Sequence, residues 1–496
     1  MTSIPIVTRF WPRETRNTTV QPVWLRRLPL PQRPNPHQLV QSLPELPDFV
    51  RQSPVAMRYL YFLGTLDWDR FPERDLERYR YRPPLPYAPF AAACLVKLEE
   101  TKPNMSKLRD YLVEHPALIW LLGFPLVSSS HFAWGFDPEA SLPTHRHFTR
   151  MLRSMPNACL QFLLDETVRL LQIELSIVAK GFGLVISLDT KHILAWVKEN
   201  NLKAYVSDRY DKTKQPKGDP DCRLGCKRRR NQRVSSKESP PTPRDNPLPA
   251  DTISVGEYYW GYGSGVVATK VPHWGEFVLA ELTQPFNCSD VSYFFPLMAD
   301  TERRLGFRPR FGAFDASFDC FYVYEYFQRE SKPWQYAFAA VPWAKRGPWR
   351  QFDPTGLPLC AADLPMPLKS TFLNRTSLVE HERGRYACPL QYPDVTADAC
   401  PVEDKHWVKG GCVTTMPTSV GARLRFQIDR ESQLYKTIYK QRTATERVNS
   451  QATALGIERP RLRNQYAIAN QNTLIYVLIN LRALHRIRRK KTELGM

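Results

Sequence analysis

Three acidic residues stand where a carboxylate could do chemistry. Leu184-Val-Ile-Ser-Leu is a largely apolar run that closes on Asp189, which predicts a buried strand delivering a carboxylate at its C-terminal end. Arg310-Phe-Gly-Ala-Phe is a second short strand pattern, and it closes on Asp315. One aspartate after a strand is as often a helix cap as a catalyst; two in one α/β region say more. If the strands are neighbours, both carboxylates lie at one sheet edge, a geometry suited to two Mg²⁺ ions spaced for in-line phosphoryl displacement. The third acid is in YKQRTATERVNSQATAL, where Tyr439, Arg442 and Glu446 are offset by 3 and 7 residues. On a helix that spacing groups them on one face, as a phosphate clamp beside a metal-binding carboxylate. The same spacing also describes an ordinary surface ion pair between Arg442 and Glu446.

The elements that must position these groups follow from length and composition. At 496 residues the chain has room for about three domains of roughly 150 residues. Hydrophobic residues make up 43% and aromatics 12%, which excludes a mainly disordered chain. A net charge of +20 favours a polyanionic partner, nucleic acid or an anionic surface. The membrane option is weak, because the best apolar run, Ala117 to Val127, is about half a bilayer span and contains Pro125. No apolar signal core precedes the first arginines, and the ten cysteines are sparse, so a reduced, cytoplasmic protein that handles nucleic acid is expected.

Residues 1–55 are rich in Pro and Arg and predict an extended arm. Residues 56–180 predict a helical domain: an apolar helix over Ala88–Glu100, a helix capped by Ser106, and a basic helix after Thr144. That basic helix carries Arg146 and Arg150, and a long amphipathic helix follows over Leu160–Ile177. Residues 181–345 begin with the strand of Asp189, and the hydrophilic stretch 201–250, with Lys227, Arg228, Arg229 and Arg230, predicts a mobile basic insertion. Strands are expected at Gly265–Lys270, Glu276–Thr283 and Tyr336–Val341, with helices at Val291–Leu305 and Phe321–Phe327. Residues 346–425 lack periodicity and hold Cys360, Cys388, Cys400 and Cys412. Thiolates suit a structural tetrahedral Zn²⁺ site, with His381 or His406 as substitutes, although the spacing has no CxxC knuckle. Residues 426–496 follow a last strand at Ala422–Ile428 with C-terminal helices. The plan is mixed α/β. Two rival motifs fail: SLDTKH lacks the second Asp of a haloacid-dehalogenase-type phosphatase, and the glycines of GYGSG open no helix, which a dinucleotide site needs.

Taken together, residues 85–485 resemble bacterial insertion-sequence transposases of the DDE class, whose core is ribonuclease-H-like. The resemblance rests on VISLDT, FGAFDASFD, the Tyr-x2-Arg-x3-Glu signature, and the flanking SKLRDYL and LPTHRHFTRML. It implies a ribonuclease-H-like mixed sheet preceded by a helical domain, with an inserted domain, residues 346–425, before the last catalytic helix. It assigns Asp189, Asp315 and Glu446 as catalytic residues that hold two Mg²⁺ ions (or Mn²⁺), with Tyr439 and Arg442 on DNA. Arg146, Arg150, Lys227, Arg228, Arg229 and Arg230 would bind backbone phosphates. The implied partner is double-stranded DNA, element ends and target, held by a homodimer or larger assembly in the bacterial nucleoid. The signature's lysine is replaced by Thr453, with Arg459, Arg461 and Arg463 nearby, and Asp319 is a rival for the second carboxylate. The alternative is a catalytically inactive, transposase-derived DNA-binding protein.

Overall fold

The computed structural model describes residues 46–74, 85–179, 181–228, 256–328, 337–344, 350–396 and 398–495. Its helical first part contains α1 (Pro54–Leu63), α2 (Ala88–Glu99), α3 (Met105–Glu114), α4 (His145–Ser154) and α5 (Asn157–Ser176). The basic helix expected after Thr144 is α4, and Thr144 caps it, accepting from the His147 backbone N–H at 3.4 Å. The cap of α3 is Asn104, not Ser106: its Oδ1 accepts from the Lys107 N–H at 2.9 Å. Of the proposed arm, residues 46–55 are described, and Asp48–Arg51 form a short helix with Leu46 and Val50 buried.

The change to strand periodicity produces β1 (Val185–Leu194), β2 (Arg223–Arg228), β3 (Gly256–Val271) and β4 (Gly275–Pro285). Next come α6 (Phe294–Leu305), β5 (Phe311–Ala313), α7 (Phe321–Gln328) and β6 (Phe338–Ala340). These strands make one mixed sheet. β1 is antiparallel to β3, β3 antiparallel to β4, β1 parallel to β5, and β5 parallel to β6. β3 is long enough to take β2 along its first part and β4 along the rest. The GYGSG glycines lie inside β3, where Gly263 and Gly265 admit Tyr293: a Cβ on Gly265 would stand 2.4 Å from its ring.

Residues 201–228 differ from the mobile insertion expected there. They are poor in apolar side chains, yet β3 holds them with polar bonds: Tyr262 donates to Asp219 at 2.7 Å, and the Trp260 indole donates to the Arg209 carbonyl at 2.8 Å. Residues 229–255, including Arg229 and Arg230, lie outside the described residues.

The stretch without periodicity forms a second, three-stranded sheet, β7 (Leu368–Asn374), β8 (His381–Ala387) and β9 (Val413–Pro417), with its own small core around Met366, Tyr386 and Met416. The expected last strand at Ala422–Ile428 is instead α8 (Val420–Gln427). Its apolar–basic alternation fits a strand, but packing against α7 decides, with Gly421 so close that a Cβ would meet the Phe321 carbonyl at 2.0 Å. Helices α9 (Gln433–Tyr439), α10 (Thr443–Ala454) and α11 (Gln465–Glu493) complete the chain. Among the described residues no helix is long and apolar enough to cross a membrane.

α11 is buried on every face from Asn470 to Leu481, so its polar side chains must find partners inside the protein. Asn470 donates to the carbonyls of Leu152 and Met155, Asn472 to Thr283, and Thr473 to Glu281 at 2.5 Å. Burial pushes the Glu281 carboxyl up to about 7. Asn480 accepts from the Val278 N–H at 2.9 Å and donates to the Val278 carbonyl at 2.8 Å and to Thr167 at 3.0 Å. Because, among the described residues, β4 pairs only with β3, this carboxamide caps backbone groups on its open edge. Asn480→Ala should therefore strand buried groups and cost about 2–4 kcal/mol, seen as a lower urea midpoint with an unchanged slope.

Candidate functional site

Asp189 sits within β1, not at its end, because the antiparallel partner β3 continues as far as Leu194. What stops near Asp189 is the parallel pairing with β5, which covers Val185 to Ser187. Asp315 follows β5 by two residues and caps a short 3₁₀ turn, its Oδ1 accepting from the Ser317 N–H at 2.9 Å and hydroxyl at 2.5 Å. The two aspartates are thus delivered by adjacent parallel strands, and each is within electrostatic reach of the other.

Burial pushes the Asp189 carboxyl up to about 6, and the negative charges of Asp315 and Asp290 push the same way against the Thr190 N–H and the Arg442 charge. Its side-chain hydrogen bond comes from Asn449 Nδ2, at 3.1 Å. Asn449 is itself buried on α10, and its Oδ1 has no hydrogen-bond partner among the described residues. Asp290 accepts from the Thr190 hydroxyl at 2.8 Å. Burial raises the Asp290 carboxyl too, and the Asp315 charge adds to that.

Glu446 lies in the first turn of α10, which packs across β1, β3 and β4. Its side chain is 48% exposed and ion-paired with Arg442. Since the Arg442 charge also acts on Asp189, this guanidinium serves both acids. Tyr439, Arg442 and Glu446 do not share one helix: a 3₁₀ turn over Lys440–Arg442 separates α9 from α10. Tyr439 instead stacks on Tyr435, with ring centroids 5.9 Å apart.

Asp319 does not compete with Asp315. Its side chain is fully buried, bridged to Arg425 at 2.7 and 2.5 Å, and accepts from Tyr324 at 2.6 Å and the Ala344 N–H at 2.8 Å. It ties the two ends of the inserted sheet to α7.

Other predicted residues are spread out. Arg146 and Arg150 are exposed on α4, Arg150 within 2.7 Å of the His147 ring. Lys227 and Arg228 belong to β2. Thr453 is exposed and bonds back to the Asn449 carbonyl at 2.9 Å. Cys360, Cys388, Cys400 and Cys412, far apart in sequence, line one small cavity of about 20 Å³ together with Asp404. Burial and the neighbouring Cys388 and Cys360 push the Cys412 thiol up to about 12. Among the described residues, no three His, Cys, Asp or Glu side chains converge closely enough to hold an ion as they stand.

Sequence reasoning missed Asp290 and Asn449. Asp290, in NCSDVSYF, reads as the acidic start of the helix that follows; Asn449 is three residues beyond Glu446 and reads as a plain polar position. Their contacts with Thr190 and Asp189 depend on tertiary packing. Comparison with protein-family models, curated proteins and solved structures finds no match to the chain.

As a donor set, Asp189 and Asp315 suit a hard divalent cation: oxygen ligands, one of them buried without a cationic bond partner among the described residues. The raised Asp189 carboxyl also has a thermodynamic consequence. The folded protein holds this proton above the pH at which the unfolded chain releases it, so stability falls as pH rises from about 4 to about 6. Asp189→Asn should remove that loss. The variant is expected to be more stable than wild type by on the order of 1–3 kcal/mol at neutral pH, an advantage that disappears below about pH 4 in urea titrations across pH.

Proposed function

We propose that the chain is a DNA transposase of the DDE class, built on a ribonuclease-H-like core, which cleaves the ends of its own element and joins them to target DNA. The observation that carries this reading is Asp189 on β1 beside Asp315, delivered by the adjacent parallel strand, with α10, whose first turn holds Glu446, packed against β1. The mixed sheet, with two antiparallel and two parallel pairings along β4-β3-β1-β5-β6, supports the reading.

Asp189 and Asp315, completed by Glu446, would hold Mg²⁺ or Mn²⁺, which supplies charge stabilisation and nucleophile activation for phosphoryl transfer. The chain's own residues do the positioning. Asn449 fixes the Asp189 carboxylate, and Thr190 holds Asp290 beside it. Arg442 binds a phosphate oxygen when it leaves Glu446, exchanging one charge-assisted bond for another. Exposed Arg146 and Arg150 grip the backbone, with affinity falling as salt rises. A homodimer or larger assembly would bring two DNA ends together.

In the inserted sheet, the four cysteines that line one small cavity would offer Zn²⁺ a sulfur set once they draw together around the ion. Elemental analysis of protein purified without chelator should then find about one zinc per chain, and Cys388→Ser with Cys412→Ser should lose it.

Cleavage itself is tested with DNA carrying the sequences that flank the reading frame, in Mg²⁺ or Mn²⁺. Wild type should cut at the element ends. Asp189→Ala and Glu446→Ala should each reduce cleavage by at least about 10³-fold while still shifting the same DNA in a gel. Binding without any cleavage by wild type would favour the inactive, DNA-binding alternative.

A further inference from the structure

Beyond the end of β1 the chain builds a second cleft. Residues Leu194 to Lys198, Asn200 and Asn201 face Arg459, Pro460 and Arg463 around a cavity of about 490 Å³, within the range of small-ligand sites. Trp196 lies in it 52% exposed, and the Arg463 guanidinium stands 4.8 Å from its ring centroid. Among the described residues, three cations, Lys198, Arg459 and Arg463, line the cleft, and no carboxylate does. Of the acids adjacent in sequence, Glu458 is engaged by Lys191 at 2.5 Å.

This wall is fixed before any ligand arrives. Asn200 donates to the carbonyls of Ala195 and Trp260 at 2.8 and 2.7 Å and accepts from the Trp260 N–H at 2.9 Å. The Ala195 N–H bonds to the Trp260 carbonyl at 3.0 Å, and Leu194 to the Glu458 carbonyl at 2.8 Å. A half-exposed indole on a rigid loop, ringed by positive charge, suits a flat aromatic group attached to an anion.

We propose that this cleft binds an unpaired nucleotide of a DNA strand, its base stacked on Trp196 and its phosphate on Arg459 and Lys198. The inference rests on the reading of the chain as a DNA-processing protein and adds to it a site for single-stranded DNA. Trp196 is seven residues beyond Asp189, at most roughly 23 Å along an extended strand. The cleft therefore engages DNA several nucleotides from the aspartates, where a strand has separated from its complement.

The test is fluorescence anisotropy with a labelled thymidine homopolymer and a labelled blunt duplex, for wild type, Trp196→Ala, Trp196→Phe and Arg459→Ala. Trp196→Ala should weaken homopolymer binding about 10-fold or more and leave duplex binding within about twofold of wild type. Trp196→Phe should restore most of the loss, and Arg459→Ala should lower the salt slope by about 0.7. Equal homopolymer binding by wild type and Trp196→Ala overturns the proposal while leaving the DNA reading intact. Failure of Trp196→Phe to restore binding overturns stacking as the cause. Competition by thymidine monophosphate at micromolar concentration would identify a free-nucleotide site and overturn the strand assignment. If wild type binds neither DNA, the DNA reading fails and the cleft assignment fails with it.

Discussion

The fold depends on burying α11 while giving Asn470, Asn472, Thr473 and Asn480 a hydrogen bond each inside the protein. A helix enclosed on all sides cannot rely on amphipathicity to fix its rotation, since every face is covered. Asn470, Asn472, Thr473 and Asn480 supply that information: each finds a partner only at one rotation and one height. The same helix contacts α2, α4, α5 and β4, so setting its register sets the helical first part of the chain against the sheet. It also closes the β4 edge, which would otherwise offer backbone groups to another chain.

That arrangement bears on the carboxylates. Packing α10 against the sheet withdraws Asp189 from water without giving it a cationic bond partner among the described residues, so its charge is unfavourable in the protein alone. The nearest compensation is Arg442, which Glu446 also holds. A group kept in this condition is poised to gain from an arriving positive charge, and structural ion pairs such as Asp319–Arg425 show the contrasting, satisfied state.

The sequence was most readable where one pattern dominated. Apolar runs located the start of β1, and β5 and α5 as a whole, to within a few residues. It misled where tertiary contacts override local pattern. Gly421 against the Phe321 carbonyl makes a helix of an alternating stretch; β3 orders the polar residues 201–228; a 3₁₀ turn breaks the phase between Tyr439 and Glu446. At the site, Asp189 and Asp315 were legible because each follows a strand signal. Asp290 and Asn449 were not, since nothing local distinguishes them from helix-start and surface residues. Asp319 could be separated from Asp315 only by its burial and its arginine.

The inserted sheet leaves and rejoins the core at almost one place. Asp319 and Tyr324 on one side take hydrogen bonds from Arg425 and Arg430 on the other, and Arg430 also reaches the Val341 carbonyl at 3.0 Å. With its stem clamped in this way, the excursion between is thermodynamically a long surface loop, and doubling such a loop costs only about 0.6 kcal/mol in closure entropy. The insertion can therefore be lengthened, shortened or exchanged over evolutionary time at little cost to the carboxylate-bearing strands, which makes it the part of the molecule freest to acquire new specificity.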